Sequence, residues 1–168
     1  MKENKGITMV TLIITIIVLL IVAGISIGAG NNVIKTSELE NLKTNMLLIK
    51  VKGKESVENA NFKLGTNFDM STAKAELKLK GEEIKDSNIF DGKISIDISE
   101  DNIYYKLRTP DLVEIGLSNV ESNDKKGWYI IKYDIKNVEV EVYNTKGFER
   151  DGKKYYSLSE LQNLNFDL

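Results

Sequence analysis

Clusters of carboxylates are the side chains in this sequence that are best suited to chemistry. They stand at Asp86, Asp91, Asp97, Glu100, Asp101, Glu149 and Asp151. Carboxylate oxygens are ligands that Ca²⁺ prefers, so a calcium site is one interpretation. The spacing does not match an EF-hand loop, however, and acidic residues beside glycine are typical of turns. We therefore expect these residues to build turns, and we predict no metal site and no cofactor.

The residue types that most enzymes use for acid–base and nucleophilic chemistry are missing. The chain contains no histidine and no cysteine. This composition excludes Ser-His-Asp and Cys-His catalysis, thiolate metal sites and disulfides. No other convergent set of nucleophile and base stands out in the sequence. We expect that the protein is not an enzyme and that its folded part is held together by its core alone.

The balance of charge argues against a nucleic-acid partner. Lysine and arginine together number 23, aspartate and glutamate 25, and the formal net charge is -2. Charges of both signs are interleaved, as in the stretch Glu82 to Asp86. Neutralising phosphates needs an excess of Lys and Arg on some face. We interpret the charged residues as a mixed, solvated surface.

Aromatic residues in the second half of the chain allow two interpretations. They are Tyr104, Tyr105, Trp128, Tyr129, Tyr133, Tyr155 and Tyr156. They could form an adhesive surface, but aromatic residues in strands more often alternate into the core. We expect them to belong mainly to the core.

The N-terminal segment has the composition of a membrane-spanning helix. No charged residue occurs between Lys5 and Lys35, and threonines are the only polar side chains from Ile7 to Ala23. A span needs roughly 20 apolar residues, and in lipid the backbone must satisfy its own hydrogen bonds, so continuity outweighs the strand preference of Ile and Val. Lys2 and Lys5 precede the run, which predicts a cytoplasmic N-terminus with the remainder of the chain outside.

The junction in front of this apolar run has a distinctive order of features. From Lys5 to Ile13 the chain reads Lys-Gly-Ile-Thr-Met-Val-Thr-Leu-Ile, so a short basic leader ends in glycine before a large apolar residue. It resembles the class III signal of type IV pilins and pseudopilins, and the run from Thr11 to Gly24 is similar to pilin-like proteins of clostridia-type bacteria. The resemblance implies that a prepilin peptidase cleaves on the C-terminal side of Gly6. It also implies N-methylation of Ile7 and retention of the apolar helix in the mature protein.

One position departs from the family pattern. Pilins usually carry glutamate at the fifth mature position, where this chain has Thr11. In the family that carboxylate is described as pairing with the N-terminal amine of a neighbouring subunit. A threonine cannot form this ion pair, and its hydroxyl is expected to bond to a carbonyl one turn back. The substitution favours a minor pilin or a pseudopilin over an efficient major subunit.

Glycines follow the apolar run. Gly24 and Gly28 have the spacing of small residues that let two helices approach closely, and Gly30 comes next. One interpretation is close packing, or local unwinding, of this helix when subunits assemble. The other is a soft junction where the helix leaves the membrane. Both interpretations stay open.

The segment after Lys35 has the pattern of an amphipathic helix. Apolar or small residues recur at Leu39, Leu42, Met46, Ile49, Gly53, Ser56, Val57 and Ala60. Spacings of three and four residues place them on one face, and charged residues lie off that face. We expect the face to pack on a sheet of the same chain. A helix from Ile7 to about Asn59 would be roughly 80 Å long.

Strand and turn patterns follow in the head. Predicted strands are Lys93 to Ile98, Ile103 to Leu107, Trp128 to Tyr133 and Val138 to Tyr143, with hairpin loops at Ser99 to Asn102 and Asp134 to Asn137. Ser71 to Lys80 fits either a helix or a strand. Leu112 to Leu161 also looks like the heads of the same clostridial group.

Capping patterns add two short helices to the head. Thr109 as N-cap, followed by Pro110, predicts a short helix that Gly116 closes. Ser157 and Glu160 have the spacing of a capping box for a last helical turn. Between these helices, Asp151-Gly152 predicts a turn.

Together these patterns predict an α+β protein in which a long N-terminal helix, half transmembrane and half amphipathic, packs on a small antiparallel β-sheet head. The predicted segments are a leader at 1–6, a transmembrane and filament-core helix at 7–30, its amphipathic continuation at 31–60 and a globular head at 61–168. The resemblance implies a structural subunit of a type IV pilus-like or type II secretion-like filament. Its expected partners are prepilin peptidase, other pilin subunits and, before assembly, membrane lipid. The expected location is the cell membrane with the head outside, and then an extracellular filament on the cell surface.

Two other interpretations of the N-terminus remain. An ordinary secretory signal peptide, cleaved near Ser26, Gly28 and Ala29, would release a soluble domain, although its apolar region is usually shorter than this one. An uncleaved anchor would instead hold a cell-surface binding protein that does not polymerise.

Overall fold

The computed structural model describes residues 30–64, 71–72, 80–99, 102–134 and 136–164. Its helices are α1 (Gly30–Leu64), a 3-10 helix (Ser87–Phe90), α2 (Thr109–Glu114) and α3 (Leu158–Gln162). Its strands are β1 (Glu82–Ile84), β2 (Asn102–Leu107), β3 (Tyr129–Asp134), β4 (Glu139–Arg150) and β5 (Lys153–Ser157).

The chain divides into two compact units, and the division falls within α1. The first unit ends at Glu40, and its described residues are all helical, with Leu39 buried. The second unit runs from Asn41 to Leu168 and contains the sheet.

The five strands form an antiparallel meander in the order β1-β2-β3-β4-β5. At the β3–β4 turn, Asp134 accepts hydrogen bonds from Asn137 N–H (2.9 Å) and Nδ2 (2.8 Å). At the β4–β5 turn, Asp151 and Gly152 both have positive φ, 52° and 73°. Two such residues in a two-residue loop match the twist of the adjoining strands. Short turns therefore account for the adjacency of β3, β4 and β5, whereas longer connections join β1 to β2 and β2 to β3.

Helix α1 packs on one face of the sheet through the stripe predicted from the sequence. Its buried residues in this unit are Met46, Ile49, Gly53, Val57 and Ala60. Gly53 lies so close to Ile131 that a Cβ at this position would clash with that side chain, and the same Cβ would be 3.1 Å from Val140 Cγ1. The absence of a side chain lets the helix backbone approach the central strands. The α+β architecture with a helix on an antiparallel sheet is confirmed.

A second core covers the opposite face of the sheet. Its buried members are Ile84, Phe90, Ile96, Tyr104, Ile130 and Tyr156, with Ile94 partly buried against them. The aromatic rings form a chain of contacts, for example 5.7 Å between the centroids of Phe90 and Tyr143. The segment from the 3-10 helix to Ile96 therefore closes this face, and both faces of the sheet are buried.

The predicted strand at Lys93 to Ile98 is wrong. These residues are extended or bent but pair with no strand in the described chain, and the three-residue β1 takes the place beside β2. The period of two is real because Ile94 and Ile96 pack onto the outer face of the sheet while Ser95 and Asp97 are exposed. Alternation of apolar and polar residues indicates that one side of a segment is buried. It does not show that the segment pairs with another strand through hydrogen bonds. Because Lys93 to Ile98 form no strand, the loop predicted at Ser99 to Asn102 does not join two paired strands, and its residues Glu100 and Asp101 lie outside the described residues.

The start of α2 differs from the prediction as well. The N-cap is Arg108 and not Thr109. Asp111 Oδ2, at the third helical position, accepts the backbone N–H of Arg108 at 2.8 Å, which is the reciprocal contact of a capping box. Thr109 Oγ1 instead accepts from the N–H of Ser122 at 2.9 Å and ties the following loop to the helix. Gly116, with φ 85°, follows the helix as expected.

The other element predictions have mixed outcomes. Strands are confirmed at β2, β3 and β4, although β4 continues to Arg150, and β5 was not predicted. The capping box of Ser157 and Glu160 at α3 is confirmed. Most of Ser71 to Lys80 lies outside the described residues.

Gly53→Leu is expected to lower the free energy of unfolding by about 2 kcal/mol, because the new side chain must force α1 away from Ile131 and Val140. The measurement is urea denaturation followed by the fluorescence of Trp128. Glu58→Leu, at an exposed position of the same helix, is the control and should change stability by no more than about 0.5 kcal/mol. Equal stability of the two variants would show that the close approach at Gly53 is dispensable.

Candidate functional site

The residues that the sequence assigns to processing and assembly cannot be placed. Gly6, Ile7, Thr11, Gly24 and Gly28 all lie outside the described residues, as does the predicted transmembrane half of the helix. None of the helices in the described ranges is both long and apolar enough to cross a membrane. The candidate site within the described chain is therefore a surface of the head.

That surface is a second apolar stripe on α1. Leu47 is 40% exposed and Val51, one turn later, is 57% exposed. Val51 precedes Gly53 by two residues, which at 3.6 residues per turn places them about 160° apart around the helix. The outer stripe, Leu47 and Val51, thus faces away from the sheet. Phe62, 90% exposed, lies further along the same helix.

Polar groups border the outer stripe on both sides. On one side stand three lysines, Lys43, Lys50 and Lys54. Lys43 donates from Nζ to the carbonyl oxygen of Leu164 at 3.2 Å. On the other side Glu55 pairs with Lys52 at 3.3 Å. An apolar patch with a polar rim is the usual composition of a surface that another protein covers. The outer stripe has this composition, although it is small.

The acidic residues of the first cluster serve local turns. Asp86 Oδ1 accepts the N–H of Asn88 at 2.9 Å and begins the 3-10 helix. Asp91, with φ 52°, ends it, and Asp97 accepts from Asn102 Nδ2 at 3.3 Å. The turn role expected of Asp86 and Asp91 is confirmed.

The second acidic pair also lies at a turn. Asp151 forms the tip of the β4–β5 hairpin, and Glu149 stands opposite Lys154 in the sheet. Glu100 and Asp101 lie outside the described residues. Within the described ranges, no three acidic, histidine or cysteine side chains are grouped so that they could hold a metal ion.

The aromatic residues divide between the two cores as expected. Tyr104, Tyr129, Tyr133 and Tyr156 are buried, and Tyr105, Trp128 and Tyr155 are half-buried. Burial raises the pKa of Tyr129, although a hydrogen bond with Asn45 lowers it in part. Lys106 Nζ lies 4.1 Å from the ring centroid of Trp128, and the indole N–H donates to Asp124 at 3.0 Å. Trp128 is thus engaged within the head, which leaves little aromatic surface for adhesion.

Glu160 fastens α3 to the edge strand of the sheet. Its Oε2 accepts the backbone N–H groups of Tyr156 and Ser157, each at 3.0 Å, and also the hydroxyl of Ser157 at 3.0 Å. Burial by itself raises the pKa of Glu160, but the hydrogen bonds from Ser157 and Tyr156 outweigh it and hold the pKa below its ordinary value. The ionised carboxylate thus satisfies both backbone N–H groups at the C-terminal end of β5.

Sequence reasoning did not single out the outer stripe. The signal was present, since Leu47 and Val51 are apolar residues four positions apart and out of phase with the buried stripe. The buried face contains Met46 and Ile49, so a single wide apolar face would also explain the pattern. Only the position of the sheet shows which apolar residues are left uncovered.

Comparison with known proteins adds no further constraint on this surface. No family model, no curated protein and no solved structure matches the chain.

Glu160→Gln is expected to destabilise the head by about 1 kcal/mol at neutral pH, the usual cost of losing a helix cap. Because the folded state lowers the pKa of Glu160, this stabilisation is present above the ordinary Glu value of about 4.5 and is lost as the pH falls through the folded value. Thermal unfolding between neutral pH and about pH 3 should therefore show the wild type and Glu160→Gln converging in acid.

Glu121→Gln, at an exposed position of a loop, is the matched control and should follow the wild type throughout. A constant difference between wild type and Glu160→Gln across the whole range would contradict the role assigned to the ionised carboxylate.

Proposed function

We propose that this chain is a structural subunit of an extracytoplasmic filament, a minor pilin or pseudopilin of a type IV pilus-like or type II secretion-like assembly. The leader at 1–6 is removed after Gly6, and the apolar helix that follows anchors the subunit in the membrane until it joins the filament. The partners are prepilin peptidase and other pilin subunits.

The outer stripe on α1 is the structural observation that supports this proposal. α1 already covers the inner face of the sheet through Gly53 and its neighbours, and it leaves Leu47 40% and Val51 57% exposed on its other side. Covering a Leu or Val side chain contributes about 1–2 kcal/mol. Contact with a neighbouring subunit would recover that free energy, and contact with water would not.

The N-terminal sequence supports the same function independently. The apolar run from Ile7 onward precedes α1 without a charged residue before Lys35. Such helices leave the bilayer at little cost only if they are buried against one another. A filament core provides that burial.

The competing proposal is an anchored cell-surface binding protein that does not polymerise. It shares the membrane segment and the outward head, so hydropathy does not separate the two. They differ in the mature N-terminus and in whether the outer stripe is covered, and each difference can be measured.

The mature protein from its native host is expected to begin with methylated Ile7. Intact mass spectrometry of the purified protein measures this directly. An intact Met1 would favour the uncleaved anchor, and a start near Ala29 would favour an ordinary signal peptide. Gly6→Ala should abolish processing and raise the apparent mass on a gel, and unchanged mobility would count against peptidase recognition at this glycine.

Leu47→Gln combined with Val51→Gln is expected to reduce the amount of subunit in sheared filaments about tenfold or more, because two buried apolar contacts are lost at each interface. Val113→Gln is the matched control, since Val113 is 49% exposed on α2. All variants should keep the unfolding temperature of the wild type. Wild-type incorporation of the double variant would show that the outer stripe is not covered in the filament.

A further inference from the structure

The first third of strand β4 has no partner strand on its outer side among the described residues. β5 pairs with β4 only between Tyr143 and Arg150, which leaves Glu139 to Val142 without a partner strand among the described residues on that side. α3 follows β5 and packs against β4. It contributes no side chain to the groove of about 280 Å³ that runs along Val138 to Glu141. We call residues Glu139 to Val142 the open edge of β4, and helix α1 lies beside it.

The backbone of the open edge is available for hydrogen bonding. The N–H of Val142 donates to Oε1 of its own neighbour, Glu141, at 2.9 Å. In an antiparallel strand, N–H groups two residues apart point to the same side, so the N–H of Val140 points outward with that of Val142. The carboxylate of Glu141 thus takes the position that a carbonyl oxygen of an added strand would occupy.

Charged side chains of both signs line the groove. Lys50 and Lys54 border it on α1, and Lys132 lies on β3. No side-chain hydrogen bond or ion pair joins Lys50 or Lys54 to another described residue, whereas Lys132 interacts electrostatically with Asp134. The carboxylates there are mostly engaged, since Asp134 accepts from Asn137 and Glu141 from Val142. Glu139 is the exception and is exposed.

The spacing of the two helical lysines fits an extended peptide. Lys50 and Lys54 are four residues apart, which is about 6 Å along a helix. Side chains two residues apart on one face of a strand are about 6.6 Å apart. Asn45 contacts Tyr129 and Gly53 contacts Tyr133, so α1 advances along β3 and the lysine row follows the strand direction.

We propose that the open edge of β4 binds an extended segment of another protein by strand addition, and that this segment carries acidic residues at alternate positions. The backbone of the segment pairs with Val140 and Val142, and its two carboxylates pair with Lys50 and Lys54. Main-chain hydrogen bonds supply affinity and the alternate side chains supply specificity. Lys50 and Lys54 also border the outer stripe, but pairing with β4 does not require that stripe to be covered, so the proposal does not rest on the filament proposal.

The test is a titration of the isotope-labelled full-length chain in detergent micelles with the peptide Ac-Ser-Glu-Val-Glu-Ser-NH2, observed through the NMR signals of the Val140 and Val142 amides. The expected result is a saturable shift of both signals that weakens with added salt. Lys50→Gln combined with Lys54→Gln should weaken binding about tenfold or more, as expected for loss of two charge pairs at a peptide site.

Two controls make the result decisive. Lys125→Gln combined with Lys126→Gln, two exposed lysines in a loop away from the groove, should leave binding unchanged. The same peptide N-methylated at its three central residues should not bind, because it cannot donate to the strand. Absence of a saturable shift, equal binding of Ac-Ser-Lys-Val-Lys-Ser-NH2, equal loss in the control variant, or binding of the methylated peptide would each overturn the proposal.

Discussion

The close approach of α1 to the sheet at Gly53 is the contact on which the rest of the head depends. The chain has no disulfide to cross-link it, so burial must hold helix and sheet together. A Cβ at Gly53 would clash with Ile131 and lie 3.1 Å from Val140, so only glycine fits here without a shift of these side chains. A shorter distance between the layers brings the neighbouring large side chains, Met46 and Ile49, into full burial.

Burial of the inner face leaves the outer face of the sheet to be covered by other means. The chain uses a 3-10 helix and an irregular segment, whose Phe90, Ile94 and Ile96 complete a second aromatic core. With this cover, apolar side chains on both faces of the central strands are buried inside the head. A small domain without cross-links depends on burial on both faces of its sheet because its surface is large relative to its core.

The edges of the sheet are protected by side chains as much as by other elements. Glu160 accepts the N–H groups of Tyr156 and Ser157 at one edge. Glu141 accepts that of Val142 where β5 no longer pairs with β4. The Glu160 and Glu141 contacts differ in how easily another group can replace them. Glu160 belongs to a capping box with three donors, whereas Glu141 makes one local contact, so the second is easier to replace by an incoming backbone.

The sequence by itself determined the elements whose causes are local. The buried stripe of α1, the turn at Asp151-Gly152 and the capping box of Ser157 and Glu160 follow from the spacing of a few neighbouring residues, and the structure has all of them. The apolar run and the Gly6-Ile7 junction are also sequence properties, and the proposed function begins from them. Only the tertiary structure decided that Ile94 and Ile96 cover a sheet without joining it, that Leu47 and Val51 remain exposed, and that β4 keeps an open edge. Periodicity records which side of a segment is buried, but the partner that buries it is set by contacts between residues far apart in the chain.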